Sequence, residues 1–250
     1  MNWVDKQRLQ SEMLAGTFLN LGSAASAEIA ASIGFDWLLI DLEHGSGSFS
    51  DLRSQLIAVS TGPSSPIVRI PSVDGDRVKF VMDSGAAGIM FPFVSSPEEA
   101  RQAVAWMKYP PMGRRGVAGV IRATDYGRTW KNYFEEANEK SLVVVQIETM
   151  AAVEASEAIA QVDGVDVLFV GPLDLSVNQG TPNDFTTDRF NAALQHVIAM
   201  CRKHGKVAGI LSRPELVSKH REMGFHFLAL GSDSGSVISG YQQALKALHG

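Results

Sequence analysis

The chain predicts an α/β fold, a (β/α)8 barrel, on three observations. Eight short apolar runs recur along it, amphipathic helical stretches separate most of them, and polar residues with chemical capability gather after the runs rather than before them. Alternating strand and helix implies a parallel sheet covered by helices. Eight repeats in 250 residues favour a closed barrel, for which that length is usual. Nothing in the chain favours a split, so residues 1–250 read as one barrel domain.

The predicted strands are Leu14–Leu19, Trp37–Asp41, Ile67–Ile70, Gly88–Phe91, Leu142–Ile147, Val165–Val170, Val207–Leu211 and Phe225–Leu230. Several are continuously apolar, such as Leu142-Val143-Val144-Val145, as strands buried on both faces are. The predicted helices are Ser26–Ile33, Phe49–Val59, Asp76–Asp83, Pro97–Met107, Thr149–Ile159, Arg189–His204, Pro214–Met223 and Ser236–Leu248. Ser96-Pro97-Glu98-Glu99 is a start signal: a capping hydroxyl, proline in the first turn and acids that suit the helix dipole. Gly34, Gly85, Gly205 and Gly224 mark helix ends. Lys108 to Glu139 breaks the rhythm with Pro110-Pro111, Gly113, Gly116 and Gly119. It reads as a long loop of the kind that forms a lid, a site wall or a subunit contact.

Composition narrows the function. Hydrophobic residues make up 45% and charged residues 20%, an ordinary globular balance that buries a core without disulfides. The net charge of −5, with scattered basic residues and only Arg114-Arg115 as a cluster, excludes a nucleic-acid partner. The lone Cys201 forms no internal disulfide and fits a reducing cytoplasm. Asp5, Lys6, Arg8 and Glu12 rule out a signal-peptide core at the N-terminus. No apolar run is long enough to span a membrane.

A barrel's active site lies at the C-terminal ends of its strands. There the sequence places Asp41-Leu42-Glu43-His44, Arg69, Gln146-Ile147-Glu148, Gly171-Pro172-Leu173-Asp174 and Gly231-Ser232-Asp233. Gln146 and Glu148 are two apart and share a face of their strand. Glu148 and Asp174 come from neighbouring strands. Two hard carboxylates with open positions suit Mg2+, Mn2+ or a related divalent ion, unless each acid merely caps the helix that follows. His44 alone among six histidines ends a strand. Oriented by Asp41 or Glu43, it makes a general base. His220 reads as lying on a surface helix. Arg69, in an apolar setting, needs an anionic partner: a neighbouring carboxylate, or a substrate carboxylate or enolate, which its planar fork suits. No lysine ends a strand, so a Schiff-base mechanism lacks its nucleophile. No glycine-rich phosphate cradle follows strands seven and eight.

These motifs, with Gly16-Thr17-Phe18, Val68-Arg69-Ile70-Pro71, Gly85-Ala86-Ala87-Gly88-Ile89-Met90-Phe91-Pro92 and Gly113-Arg114-Arg115-Gly116, run in an order and spacing that resembles the HpcH/HpaI aldolase family. Its members include 4-hydroxy-2-oxoheptanedioate aldolase and 2-dehydro-3-deoxyglucarate aldolase. The resemblance covers nearly the whole chain. It implies a barrel of the phosphoenolpyruvate/pyruvate type, a divalent ion (Mg2+, Mn2+ or Co2+) on Glu148 and Asp174, and Gln146 lining the site. It further implies Arg69 meeting a 2-oxo acid, His44 supported by Asp41 as base, the Leu173 backbone near the substrate carboxylate, and a homo-oligomer, typically a hexamer. The match loosens at Leu211-Ser212-Arg213 and Ser232-Asp233-Ser234-Gly235-Ser236, segments expected to shape aldehyde specificity.

The expected reaction is reversible cleavage of a 4-hydroxy-2-oxo acid to pyruvate, or a similar 2-oxo acid, and an aldehyde. The same enolate chemistry would also serve an oxaloacetate decarboxylase or a CoA-thioester carbon–carbon lyase, although no basic groove for CoA is visible. A barrel that only binds a metabolite would be expected to have lost a ligand or the base, and here all are present.

Overall fold

A computed structural model of the chain describes residues 1–249. Among the described residues, eight parallel strands close into a barrel in chain order. They are β1 (Leu14–Leu19), β2 (Trp37–Asp41), β3 (Ser65–Arg69), β4 (Gly88–Phe91), β5 (Leu142–Ile147), β6 (Val167–Val170), β7 (Val207–Ser212) and β8 (Phe227–Ser232). The helices are α1 (Lys6–Ser11), α2 (Ala24–Ile33), α3 (Phe49–Val59), α4 (Gly75–Asp83), α5 (Pro97–Met107), α6 (Trp130–Lys140), α7 (Met150–Glu154), α8 (Ser156–Ala160), α9 (Pro172–Asn178), α10 (Asp188–Lys203), α11 (Val217–Met223) and α12 (Asp233–His249). The predicted fold class is therefore observed. Strands β3, β6, β7 and β8 differ from expectation by up to two residues at their ends, and the helix expected over Thr149–Ile159 is divided at Ala155 into α7 and α8.

Alternation along each strand sorts side chains between two cores. Trp37, Leu39, Ile67, Val144, Phe169 and Phe227 fill the barrel interior. Leu38, Ile40, Val68, Val143, Val145 and Leu168 face the helices. The interior admits its aromatics because glycines face them. A Cβ at Gly16 would lie 2.1 Å from the Trp37 ring, and one at Gly209 would lie 2.7 Å from Phe169. Trp37 and Phe227 stack across the barrel at 4.2 Å. Continuing each inward row toward the C-terminal end brings in Asp41, Arg69 and Gln146, so the periodicity that packs the floor also delivers polar groups to the mouth.

The start signal at Ser96 holds: its hydroxyl accepts the Glu99 N–H and Glu99 accepts the N–H of Ser96, a capping box. The seam between β8 and β1 is tied at the mouth by the buried Asp233, which accepts from the Asn20 N–H and the Ser26 hydroxyl.

The Lys108 to Glu139 segment corrects an expectation. It follows α5 and precedes β5, so it connects helix to strand and lies at the opposite end from the mouth. Lys108 Nζ donates to the Ser141 carbonyl just before β5, and Arg122 donates to the Ser84 carbonyl ahead of β4. Tyr133 stacks on Trp3. None of its residues lines the cleft described below, so it is neither lid nor wall of the site in its own chain. Within it α6 went unforeseen: Trp130, Tyr133, Phe134 and Ala137 have helical spacing, but the surrounding glycines and prolines mask the pattern.

At the other end of the chain, α12 has its start buried, but Val237, Ile238, Tyr241 and Leu245 along it are exposed. Among the described residues no helix is long and apolar enough to cross a membrane.

Candidate active site

The strand C-termini surround a cleft of about 380 Å³. Asp41, His44, Arg69, Gln146, Glu148, Leu173 and Asp174 all line it, so the seven residues given site roles from the sequence are at one place; Glu43 and Asp233, at the same strand ends, are not among its lining residues. Their detailed partnerships differ in part from expectation.

Arg69 is paired within the protein. The parallel register sets Asp41 opposite Arg69. Nε and Nη2 donate to the two Asp41 oxygens at 3.0 and 2.7 Å, and Nη1 lies 3.0 Å from Glu43 Oε2. Burial works against the guanidinium charge, but the hydrogen bonds and charge of Asp41, then of Glu43, more than offset it, and the Arg69 pKa is raised. The neighbouring-carboxylate reading is thus realised. A guanidinium has five N–H donors. Three are committed here, leaving two for a ligand.

Asp41 is consequently not the partner of the His44 ring. Its Oδ1 also accepts the backbone N–H groups of Glu43 and His44, at 3.1 and 3.2 Å, which folds the turn after β2. The exposed His44 ring has Glu43 as its nearest carboxylate, Nε2 to Oε2 3.9 Å. Asp41 fixes where His44 sits. Glu43, the alternative named from the sequence, is the group close to its imidazole.

Glu148, beyond the end of β5, is buried. Its oxygens accept from the Phe93 backbone N–H and from Gln146 Nε2, each at 3.0 Å. Phe93 presents that N–H from a left-handed turn after β4, with φ 51°. Gly171 supplies space, since a Cβ there would come within 2.5 Å of Glu148 Oε1. Burial pushes the Glu148 pKa up to about 7 against the Phe93 hydrogen bond, and the nearby charges of Asp174 and Glu43 add to the rise. Burial likewise raises Glu43. Gln146 Oε1 is buried without a hydrogen-bond partner, an acceptor poised for a ligand or water proton.

The chemistry of this donor set fits a divalent cation. Glu148 and Asp174 line the same cleft, the charge of Asp174 raises the Glu148 pKa, and Arg69 is already matched by Asp41 and Glu43. Among the described residues no group of three or more His, Cys, Asp or Glu side chains forms a metal-holding cluster. A cation held by Glu148 and Asp174, the pair expected from the sequence, would take its remaining oxygens from water or substrate.

Sequence reasoning missed two features. The Phe93 N–H is backbone and carries no residue-type signal. Arg213, in a segment expected to shape aldehyde specificity, lines the cleft with Leu211 and Ser212. His220, expected on the surface, is buried, with Nδ1 2.9 Å from the Ser212 hydroxyl. Burial lowers its pKa to about 4, so it stays neutral and props the end of β7.

A closed parallel barrel whose strand ends converge acids, an arginine and a histidine on one cleft has the architecture of a barrel enzyme. Residues 14–240 match the family model described as HpcH/HpaI aldolase/citrate lyase, and the chain belongs to this family. It is 41% identical to a hydroxypyruvate/pyruvate aldolase of Paraburkholderia phytofirmans, over 96% of this chain and 95% of the relative. It is 42% identical to a 2-dehydro-3,6-dideoxy-6-sulfogluconate aldolase of Pseudomonas putida, over 94% and 92%. A crystal structure of an HpcH/HpaI aldolase/citrate lyase family protein from Burkholderia cenocepacia has a TM-score of 0.94 at 36% identity, covering 98% of both chains.

Proposed function

We propose that this chain is a divalent-metal-dependent aldolase that reversibly cleaves a 4-hydroxy-2-oxo acid to pyruvate, or a similar 2-oxo acid, and an aldehyde. The observation that carries the reading is the buried Glu148 beside Asp174, with acidity shifted to about 7, in a cleft shared with Arg69 and His44. The aldolase names of relatives at about 40% identity support it.

Glu148 and Asp174 would hold the metal, Mg2+, Mn2+ or Co2+. When bound, such an ion would supply Lewis-acid chemistry that makes the protons next to the ketone more acidic. His44, at the exposed rim, takes the proton from C3 of the 2-oxo acid and returns it in the reverse direction. Glu43 stabilises the imidazolium formed on the way. Arg69, clamped by Asp41 and Glu43, cannot swing, and its two remaining N–H donors meet the charge that develops on the enolate oxygen. Gln146 holds Glu148 in place and offers its free carbonyl oxygen to a ligand proton. The N–H groups of the first turn of α9, around Leu173, have no partners within the helix and face the substrate carboxylate.

The test is deuterium exchange into the methyl group of pyruvate, followed by NMR with Mn2+ or Mg2+ and again with chelator. Metal-dependent exchange that disappears in Glu148→Ala is the expected result. Full exchange in that variant would remove Glu148 as a metal ligand, and no exchange with any metal would remove pyruvate as the donor.

The working form is a homo-oligomer, typically a hexamer in the resembled family, in a reducing cytoplasm where the buried Cys201 stays a thiol. The apolar residues that α12 exposes support self-association. Light scattering that reports a monomer at micromolar concentration would exclude it.

A further inference from the structure

We infer that Arg213 selects aldehydes whose far end carries an anionic group. The inference rests on the aldolase reading and says which aldehyde the site takes.

Arg213 follows β7 and lines the cleft; it also lines an adjoining apolar pocket that contains Phe185 and Leu216. Leu173 and Leu211 line both spaces, so the cleft continues past them into a side chamber with Arg213 at the junction. The guanidinium is oriented. Its carbon stands 4.8 Å from the centre of the Phe185 ring, and Nη2 donates to Asn183 Oδ1 at 2.6 Å. Asn183 is fixed in turn: it adopts a left-handed conformation with φ 60°, and its N–H donates to the Ser176 hydroxyl, which donates to the Leu173 carbonyl. Arg213 is thus tied, through neutral groups only, to the helix that carries Asp174.

Charge decides what this arrangement serves. The cations lining the cleft are Arg69 and Arg213. Asp41 and Glu43 neutralise Arg69. Arg213 has an amide and a ring as partners and forms no ion pair among the described residues. An exposed arginine with a purely structural role would gain by pairing with a carboxylate. This one is held by groups that orient its fork and leave its charge unmatched, the condition for meeting a carboxylate or sulfonate. The acids around Glu148 would repel such a tail elsewhere in the cleft, so the charge pattern also sets which end of the aldehyde approaches the enolate. In the addition step, the bond forms between C3 of the 2-oxo acid and the aldehyde carbon. The proton removed from C3 is returned to the new hydroxyl, and the anionic tail is unchanged.

The experiment compares kcat/KM for addition of pyruvate to succinic semialdehyde, to its terminal amide and to the matching sulfonate. Each ratio is taken within one protein. Wild type should prefer both anions over the amide by about ten-fold or more, roughly what one charge-assisted hydrogen bond supplies, with the difference in KM. Arg213→Gln should bring the ratios close to one. Arg213→Lys should keep part of the preference. Asn183→Gly, which tolerates the left-handed backbone and removes only the orienting acceptor, should lower it by less than Arg213→Gln. Carboxylate ahead of sulfonate, or the reverse, identifies which anion the fork fits. A wild type indifferent to charge, or an anion preference that survives in Arg213→Gln, would overturn the inference. Deuterium exchange into pyruvate without aldehyde separates the two levels. If exchange is absent, the aldolase reading falls and takes this inference with it. If exchange is present without charge preference, only this inference falls.

Discussion

Glu148 is an acid held where its charged form is costly. Its folded pKa, about 7, lies above the ordinary carboxylate value, so the metal-free folded protein binds that proton more tightly than the unfolded chain does. The stability it contributes is present at low pH and declines as pH rises from about 4.5 to about 7, by on the order of 3 kcal/mol. Glu148→Gln should therefore flatten the fall in metal-free stability across that window, as read by urea unfolding at several pH values. The same proton must leave when a metal binds. Mn2+ affinity should strengthen as pH rises toward 7, with proton release detectable by calorimetry in two buffers of different ionisation enthalpy. Asp41→Ala tests the other buried charge. It leaves Arg69 with Glu43 alone and unties two turn N–H groups, and loss of about 3–5 kcal/mol in urea unfolding is expected. That Asp41 belongs to Arg69 rather than to the His44 ring was not legible in the sequence. The pairing depends on the register of β2 against β3, residues 28 apart, and apolar patterning reveals which residues face inward without revealing which ones meet.

At the scale of elements, the strands were legible because both of their faces are buried, and short, largely apolar runs mark them. Short helices were not. The seven residues of α9 hold no full amphipathic repeat, although Gly171-Pro172 at its start is a recognisable helix opening. The connection between α5 and β5 was read for its length and glycine content, which say nothing about the end of the barrel on which it lies. Its anchoring is testable. Arg115, with a fully buried side chain, donates to Asp83 at 2.8 Å and to the Tyr133 hydroxyl at 3.0 Å. Arg115→Ala should lower stability by about 3–5 kcal/mol, since it leaves the partly buried Asp83 without its cation and removes a side chain packed against Tyr109 and Tyr133. A loss below 1 kcal/mol would show that the segment is held some other way.

For the whole molecule, the seven site residues chosen from sequence share one cleft because a parallel barrel sends every strand's C-terminus to the same end. The topology gathers what the sequence only lists in order. It does not account for the apolar residues that α12 leaves exposed. If copies of the chain cover it, thermal unfolding should become concentration-dependent, with the midpoint rising on dilution series read from low to high protein. Tyr241→Glu should abolish that dependence.

The glycines that let Trp37 and Phe169 fill the barrel interior beside Phe227 have a kinetic consequence. The floor is plugged, so reactants share one doorway. On the proposed aldolase reading, a 2-oxo acid seated against Glu148 and Asp174 would lie behind the aldehyde that meets it from the β7 side. Binding would then be ordered, 2-oxo acid first, and in cleavage the aldehyde would depart before pyruvate. In product-inhibition experiments on the cleavage reaction, pyruvate should compete with the 4-hydroxy-2-oxo acid and the aldehyde should not.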